Sequence, residues 1–63
     1  MADDRFYVWG SDGKEQRILE TCSSRRSRAI KKFHRVKADY QGFTMIFLAQ
    51  KQADGTAGSV VAV

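Results

Sequence analysis

The side chains best suited to bind a ligand lie in one basic stretch, residues 23–37, with the sequence SSRRSRAIKKFHRVK. This stretch holds seven of the chain's eleven lysines and arginines and no carboxylate. An arginine guanidinium can hold two phosphate oxygens at once, whereas a lysine ammonium acts as a point charge. Both groups position a protein on a phosphate backbone without reading its sequence. We therefore predict an anion-binding surface made of six of these cations, namely Arg25, Arg26, Arg28, Lys31, Lys32 and Arg35.

The placement of these cations argues against a face that serves only solubility. Such faces interleave acids three or four residues from the bases, which stabilises a helix by about 0.2–0.5 kcal/mol per pair. Residues 21–38 contain no acid. Arg25, Arg26 and Arg28 also crowd the start of a predicted helix, where the helix dipole opposes each positive charge by about 0.3–1 kcal/mol. The alternative is a solvated charged face; the partner we expect is nucleic acid or an acidic protein surface.

Other chemistry has little support in the sequence. Cys22 and His34 are the single cysteine and the single histidine, too few for an intrachain disulfide or a structural zinc site. Neither of the Gly-rich phosphate-binding patterns, GxGxxG or GxxxxGK followed by Ser or Thr, occurs. We therefore predict no enzymatic activity, no metal and no cofactor. A catalytic pair of Cys22 and His34 is the one enzymatic alternative.

The basic stretch is predicted to form a helix over residues 24–38. Ser23 or Ser24 is expected to cap its first turn, because a serine hydroxyl can accept a hydrogen bond from a free backbone N–H. Apolar residues recur at helical spacing and form one stripe: Ala29, Ile30, Phe33, Val36 and Tyr40. The cations Arg28, Lys31, Lys32 and Arg35 fall on the opposite side, and Gly42 is expected to end the element as a left-handed cap or first loop residue.

Four strands are predicted around this helix. Residues 5–9 (RFYVW) and 16–22 (QRILETC) form a hairpin through an Asp-Gly turn. Residues 43–50 (FTMIFLAQ) and 59–63 (SVVAV) form the third and fourth strands. The order β-β-α-β-β indicates an α+β fold, in which the helix packs on one face of an antiparallel sheet. We assign residues 1–63 to a single small domain, because so short a chain forms one core at most.

The sheet face away from the helix is expected to be open and aromatic. Tyr7 and Trp9 alternate with Phe6 and Val8, so one of the two pairs must point away from the helix. Three interpretations stay open: a protein interface, most simply a homodimer, built on Tyr7 and Trp9; a platform on which these two rings stack nucleobases; or a face covered by loops.

Bulk composition indicates the compartment and excludes a membrane partner. The formal net charge is +4 and the isoelectric point is about 9.6, which favours anionic partners. The longest apolar run, residues 45–49, is far too short to span a bilayer. The acidic start, MADDRFYVWG, lacks the plan of a signal peptide. We therefore expect a cytoplasmic protein that does not bind membranes.

In its layout the stretch SSRRSRAIKKFHRVKADYQGFTMIF resembles small anti-CRISPR proteins of phages and prophages. Some of those proteins also have a serine-capped helix that runs into a Gly-containing turn and an apolar strand. The resemblance implies a non-enzymatic phage-type inhibitor that occupies a surface of a nucleoprotein complex, such as a CRISPR effector. Many such inhibitors are acidic DNA mimics, whereas this helix is basic, so contact with guide RNA, DNA or an acidic subunit fits better. The alternative function is a homodimeric adaptor or inhibitor that acts through the open aromatic face.

Overall fold

The computed structural model describes residues 4–62 and confirms the α+β fold. Five elements follow in the predicted order: β1 (Phe6–Ser11), β2 (Gln16–Thr21), α1 (Arg26–Lys37), β3 (Met45–Lys51) and β4 (Ala57–Val60). The strands form one sheet in the order β2-β1-β3-β4, and every neighbouring pair is antiparallel. The fourth predicted strand, 59–63, ends at a residue outside the described range.

The helix packs on one face of this sheet, which we call the helix face. Val8 and Leu48 lie opposite each other on the two central strands and are completely buried. Three buried side chains of the helix pack in the same cluster as Val8 and Leu48: Ala29, Phe33 and Val36. The buried Cys22, which follows β2, completes this cluster. The predicted apolar stripe is therefore confirmed, with Ile30 and Tyr40 partly buried at its edges.

The helix begins later than predicted, and the predicted serine cap is wrong. The N-cap residue is Arg25, which makes no side-chain capping bond. The reason lies in the strand before it, because Cys22 N–H donates to Phe6 O at 2.8 Å and Phe6 N–H donates to Ser23 O at 3.2 Å. These bonds hold residues 22–23 beside β1 in extended form. Ser23 Oγ instead accepts a bond from the backbone N–H of Arg25 at 3.0 Å, in a local turn before the helix.

The helix also ends one residue before the predicted boundary at 38, with Ala38 as its C-cap. Asp39 N–H donates to Val36 O at 2.9 Å, which tightens the last turn. Gly42 has a φ of +91°, so its left-handed conformation is as expected, but it lies in the following loop and does not cap the helix. Tyr40 fixes this loop, since its hydroxyl lies 3.4 Å from Leu19 O and from Glu20 Oε1.

The fourth strand, predicted at 59–63, starts two residues earlier and ends three residues earlier. Gln52 N–H donates to Thr56 O at 2.8 Å and Gly55 N–H donates to Gln52 O at 3.0 Å, which makes a tight turn. Pairing with β3 therefore starts as soon as the turn closes, where Ala57 faces Lys51. The strand ends at Val60, although Val61 N–H still donates to Leu48 O at 2.8 Å.

Gly10 in the middle of β1 is required by close packing on the helix face. A Cβ at this position would lie 2.8 Å from Cδ1 of Phe43 and 2.9 Å from Cδ1 of Leu19. The Phe43 ring in turn packs edge-on against Tyr40, with ring centroids 6.4 Å apart. Glycine thus lets the loop after α1 lie directly on the central strand.

We expect Gly10→Ala to lower the free energy of unfolding by about 1–3 kcal/mol, the usual cost of overpacking. Urea denaturation followed by tryptophan fluorescence measures this change. A second variant, Gly10→Ala with Phe43→Ala, provides the control, because loss of the ring removes two of the three closest contacts of the new methyl group. The packing explanation requires the double variant to lose less than the sum of the two single losses; simple additivity would contradict it.

Candidate nucleic-acid interface

The exposed side of α1 is a concentrated positive surface. Six of the twelve residues in Arg26–Lys37 are lysine or arginine, none is acidic, and the N-cap adds another arginine. No carboxylate of residues 4–62 forms an ion pair with any of these cations. Arg17 and Glu15 do pair, at 3.8 Å, but both lie on the β1–β2 hairpin. Within the described chain, no carboxylate therefore neutralises the helix cations through an ion pair.

Four of the six predicted site residues come together in one shallow depression, the basic groove, and among residues 4–62 they alone line it: Arg28, Lys31, Lys32 and Arg35. They occupy helix positions i, i+3, i+4 and i+7, so they lie side by side over about 10 Å of helix. Successive phosphates of one duplex strand rise by about 3.4 Å along the axis, so a row of this length can contact more than one of them. The groove can therefore hold two or more phosphate groups through charge-assisted hydrogen bonds.

Lys32 also has a structural contact that the sequence did not reveal. Its Nζ donates a 2.6 Å hydrogen bond to the backbone O of Thr21, at the end of β2, and its side chain is half-buried. This bond ties the helix to the edge strand. An ammonium group has three donors, so two remain for a phosphate. Lys32 thus lies at the inner flank of the groove, with its ammonium group positioned by the edge strand.

Arg25 and Arg26 do not line the basic groove. Both are exposed at the start of α1, as predicted, but Arg26 lines a separate cleft between the helix and the β3–β4 hairpin, beside Phe6, Gln50 and Ser59. The first turn has no acidic residue and no side-chain cap. The structure therefore divides the predicted set into four cations within one groove and two beside it.

The far face of the sheet differs from the open aromatic platform that the sequence predicted. Tyr7 and Trp9 do point away from the helix, with Phe47 and Ala49, but they are only 6% and 2% exposed. Trp9 stacks parallel to Phe47 at 6.3 Å and donates from Nε1 to Ala49 O at 3.0 Å. The expectation that these two rings lie open to a partner is therefore wrong. That these two residues form a protein interface stays a prediction. Their burial leaves little ring surface for a partner to contact.

Loops and a lysine side chain contribute to this burial. Lys51 Nζ lies over the Tyr7 ring, 5.4 Å from its centroid. One cleft on the far face has Trp9 in its lining and is bordered by both hairpin loops, at residues 13–16 and 55–57. The exposed apolar side chains of this face are instead at its rim, on three different strands: Ile18, Met45 and Val60.

Both hairpin loops are built on the same Asp-Gly turn. Asp12 Oδ1 accepts bonds from the N–H groups of Lys14 and Glu15, at 3.0 and 2.9 Å. Asp54 Oδ1 accepts bonds from the N–H and the hydroxyl of Thr56, at 3.0 and 2.6 Å. In each case these donors favour the ionised carboxylate and hold its pKa below the ordinary value of 3.8.

A lowered pKa makes the contribution of Asp54 to stability depend on pH. The contribution is complete above the unfolded-state value near 3.8 and is lost as the pH falls through the lower folded-state value. We expect Asp54→Asn to be less stable than the wild-type protein at pH 7, and the difference to shrink as the pH falls below about 4. Thermal unfolding across a pH series measures it. A difference in stability that stays constant down to pH 2 would contradict this assignment.

Cys22 and His34 occupy different environments. Cys22 is buried in the core, and this burial raises the pKa of its thiol. His34 is exposed on α1, with its imidazole edge-on to the Phe33 ring at 5.7 Å.

Within residues 4–62, no group of three or more His, Cys, Asp or Glu side chains is placed to hold a metal ion. In the same part of the chain, no helix is both long and apolar enough to cross a lipid bilayer.

No protein-family model, curated protein or solved structure matches this chain.

Proposed function

We propose that this protein is a non-enzymatic binding protein that docks the basic groove of α1 on nucleic acid or on the nucleic acid of a nucleoprotein complex. One observation carries the proposal: four adjacent cations line a groove with no carboxylate partner in the described chain. A surface lysine or arginine in an ordinary helix has acids nearby to pair with. These cations are therefore free to pair with the negative charge of a partner, and phosphates supply such charge at high density.

The salt dependence of the affinity for nucleic acid tests whether the groove cations contact phosphates. If each of the four groove cations neutralises one phosphate, log K against log[salt] has a slope of about −3.5 on duplex DNA. Fluorescence anisotropy with a labelled oligonucleotide between 50 and 300 mM salt measures this slope. No detectable binding at 50 mM salt, or an affinity independent of salt, would reject the proposal.

The nature of the complex follows from the layout resemblance alone. We propose a phage-type inhibitor that contacts a CRISPR effector through its guide RNA or DNA. A pull-down from the host, with and without nuclease treatment, tests this partner. Capture of an effector complex that disappears after nuclease treatment supports it. Capture that resists nuclease would instead identify an acidic protein surface as the partner.

A second candidate function, protein binding through the far face, rests on the exposed rim of that face. Ile18, Met45 and Val60 are 38%, 52% and 62% exposed, and their cross-strand partners place all three on the far face. Exposed apolar side chains that share one face are typical of an interface. This candidate predicts a dimer in sedimentation experiments that Met45→Asp dissociates. The nucleic-acid proposal predicts that the same variant keeps its affinity for the oligonucleotide within twofold.

A further inference from the structure

The aromatic residues are the first indication of which nucleic acid fits the basic groove. Proteins that bind single strands stack bases on exposed aromatic rings. All seven Phe, Tyr and Trp residues lie within the described chain, and none of them is exposed. Four are buried and the other three are partly buried in the core or the α1–β3 loop: Tyr7, Trp9, Phe33 and Phe47, then Phe6, Tyr40 and Phe43.

The one planar ring on the basic surface is that of His34, which packs edge-on against Phe33. One imidazole gives a single place for a base, not a platform for successive bases. Without an aromatic platform, binding depends chiefly on the charge of the phosphates. A duplex has a higher phosphate charge density than a single strand, so it releases more counterions per contact.

The arrangement of charge around α1 is the second indication. With about 100° of winding per residue, Lys31 lies opposite the buried stripe of Ala29, Phe33 and Val36. Lys32 and Lys37 lie on the two flanks of the helix. Lys32 Nζ donates to Thr21 O, and Lys37 Nζ lies over the Phe33 ring, 5.6 Å from its centroid. Cations therefore occupy both sides of the helix as well as its outer ridge.

A helix with charge on both flanks matches a groove that has a phosphate backbone on each side. The B-DNA major groove is about 12 Å wide and admits an α-helix, which is about 10–12 Å across. The major groove of duplex RNA is too deep and narrow for side chains to enter. Ser27 and His34 are also exposed on this helix and add polar groups to its surface.

From these two observations we infer that the partner of α1 is double-stranded DNA, bound through its phosphates with the helix at the major groove. This inference rests on the proposed function and narrows it to one kind of nucleic acid. Binding is independent of sequence, because the surface consists of phosphate-binding cations. The inhibitor of a nucleoprotein complex would then contact the target duplex and not the guide strand.

Anisotropy with three labelled probes at 50 mM salt tests the inference: a 20-base-pair DNA duplex, one of its single strands, and an RNA duplex of the same sequence. We expect the DNA duplex to bind at least tenfold more tightly than either other probe, and a DNA duplex of scrambled sequence to bind within threefold of the first. An equal or higher affinity for the single strand or the RNA duplex would overturn the inference while leaving the proposed function intact. No binding to any probe would reject both.

Discussion

Charge reversal at the centre of the basic groove, in the variant Lys31→Glu/Arg35→Glu, is expected to lower the affinity for duplex DNA by roughly 100-fold or more at 50 mM salt. Each lost phosphate contact forfeits the release of about one counterion, and each new carboxylate repels the phosphate backbone. Both residues are exposed and neither makes a hydrogen bond or ion pair within the described chain. We leave Lys32 unchanged because its bond to Thr21 O would mix a loss of stability with a loss of binding.

A matched control for this variant exists on the β1–β2 hairpin. Lys14→Glu/Arg17→Glu changes the net charge by the same amount at two exposed positions outside the helix. Arg17 pairs with Glu15 at 3.8 Å, but an ion pair this exposed adds little to stability. We expect this control to weaken binding by less than fivefold, through the long-range field alone. Circular dichroism and thermal unfolding check that both variants stay folded. Equal losses of affinity in the two variants would show that net charge, not the basic groove, governs binding.

Trp9→Ala should have the largest effect on stability. The indole is almost completely buried, stacks on Phe47 and meets Tyr7 edge-on at 6.4 Å. Removing such a ring from a core costs about 3–5 kcal/mol. A chain of this length has a total stability of about 3–9 kcal/mol. We therefore expect the variant to be largely unfolded at 37 °C, as circular dichroism would show.

Trp9→Phe separates packing from hydrogen bonding at the same site. It keeps a ring against Phe47 but loses the donor to Ala49 O, so we expect a folded protein that is destabilised by about 1–3 kcal/mol. If Trp9 were instead an exposed contact residue, Trp9→Ala would fold normally and lose only its partner. A wild-type melting temperature for Trp9→Ala would therefore contradict the structural role.

The sequence predicted the elements with regular periodicity and the cations beside them. Ala29, Phe33 and Val36 recur at helical spacing, so both the buried stripe and the opposite basic face follow from the winding of one helix. The alternation of Val8 with Trp9 likewise predicted two apolar clusters on opposite faces of the sheet. Such local rules work because each residue's face depends only on its position within its own element.

Contacts between elements lie beyond these local rules. Ser23 is a good capping residue by type, yet the β1–β2 ladder extends to it and delays the helix. The surroundings of Trp9 include a cleft that residues of both hairpin loops border, although these loops lie far apart in the sequence. The bond from Lys32 to Thr21 O joins residues from two elements, and no pattern along the chain indicates it. Predicting these features requires the three-dimensional path of the loops.

A titration of isotopically labelled protein with a DNA duplex, followed through backbone amide shifts by NMR, locates the binding surface most directly. We predict that the largest shift changes fall on the exposed residues of α1, around Arg28, Lys31 and Arg35, and that Trp9 and its indole N–H change little. Shift changes concentrated on the far face, around Ile18 and Met45, with α1 unaffected, would contradict the account.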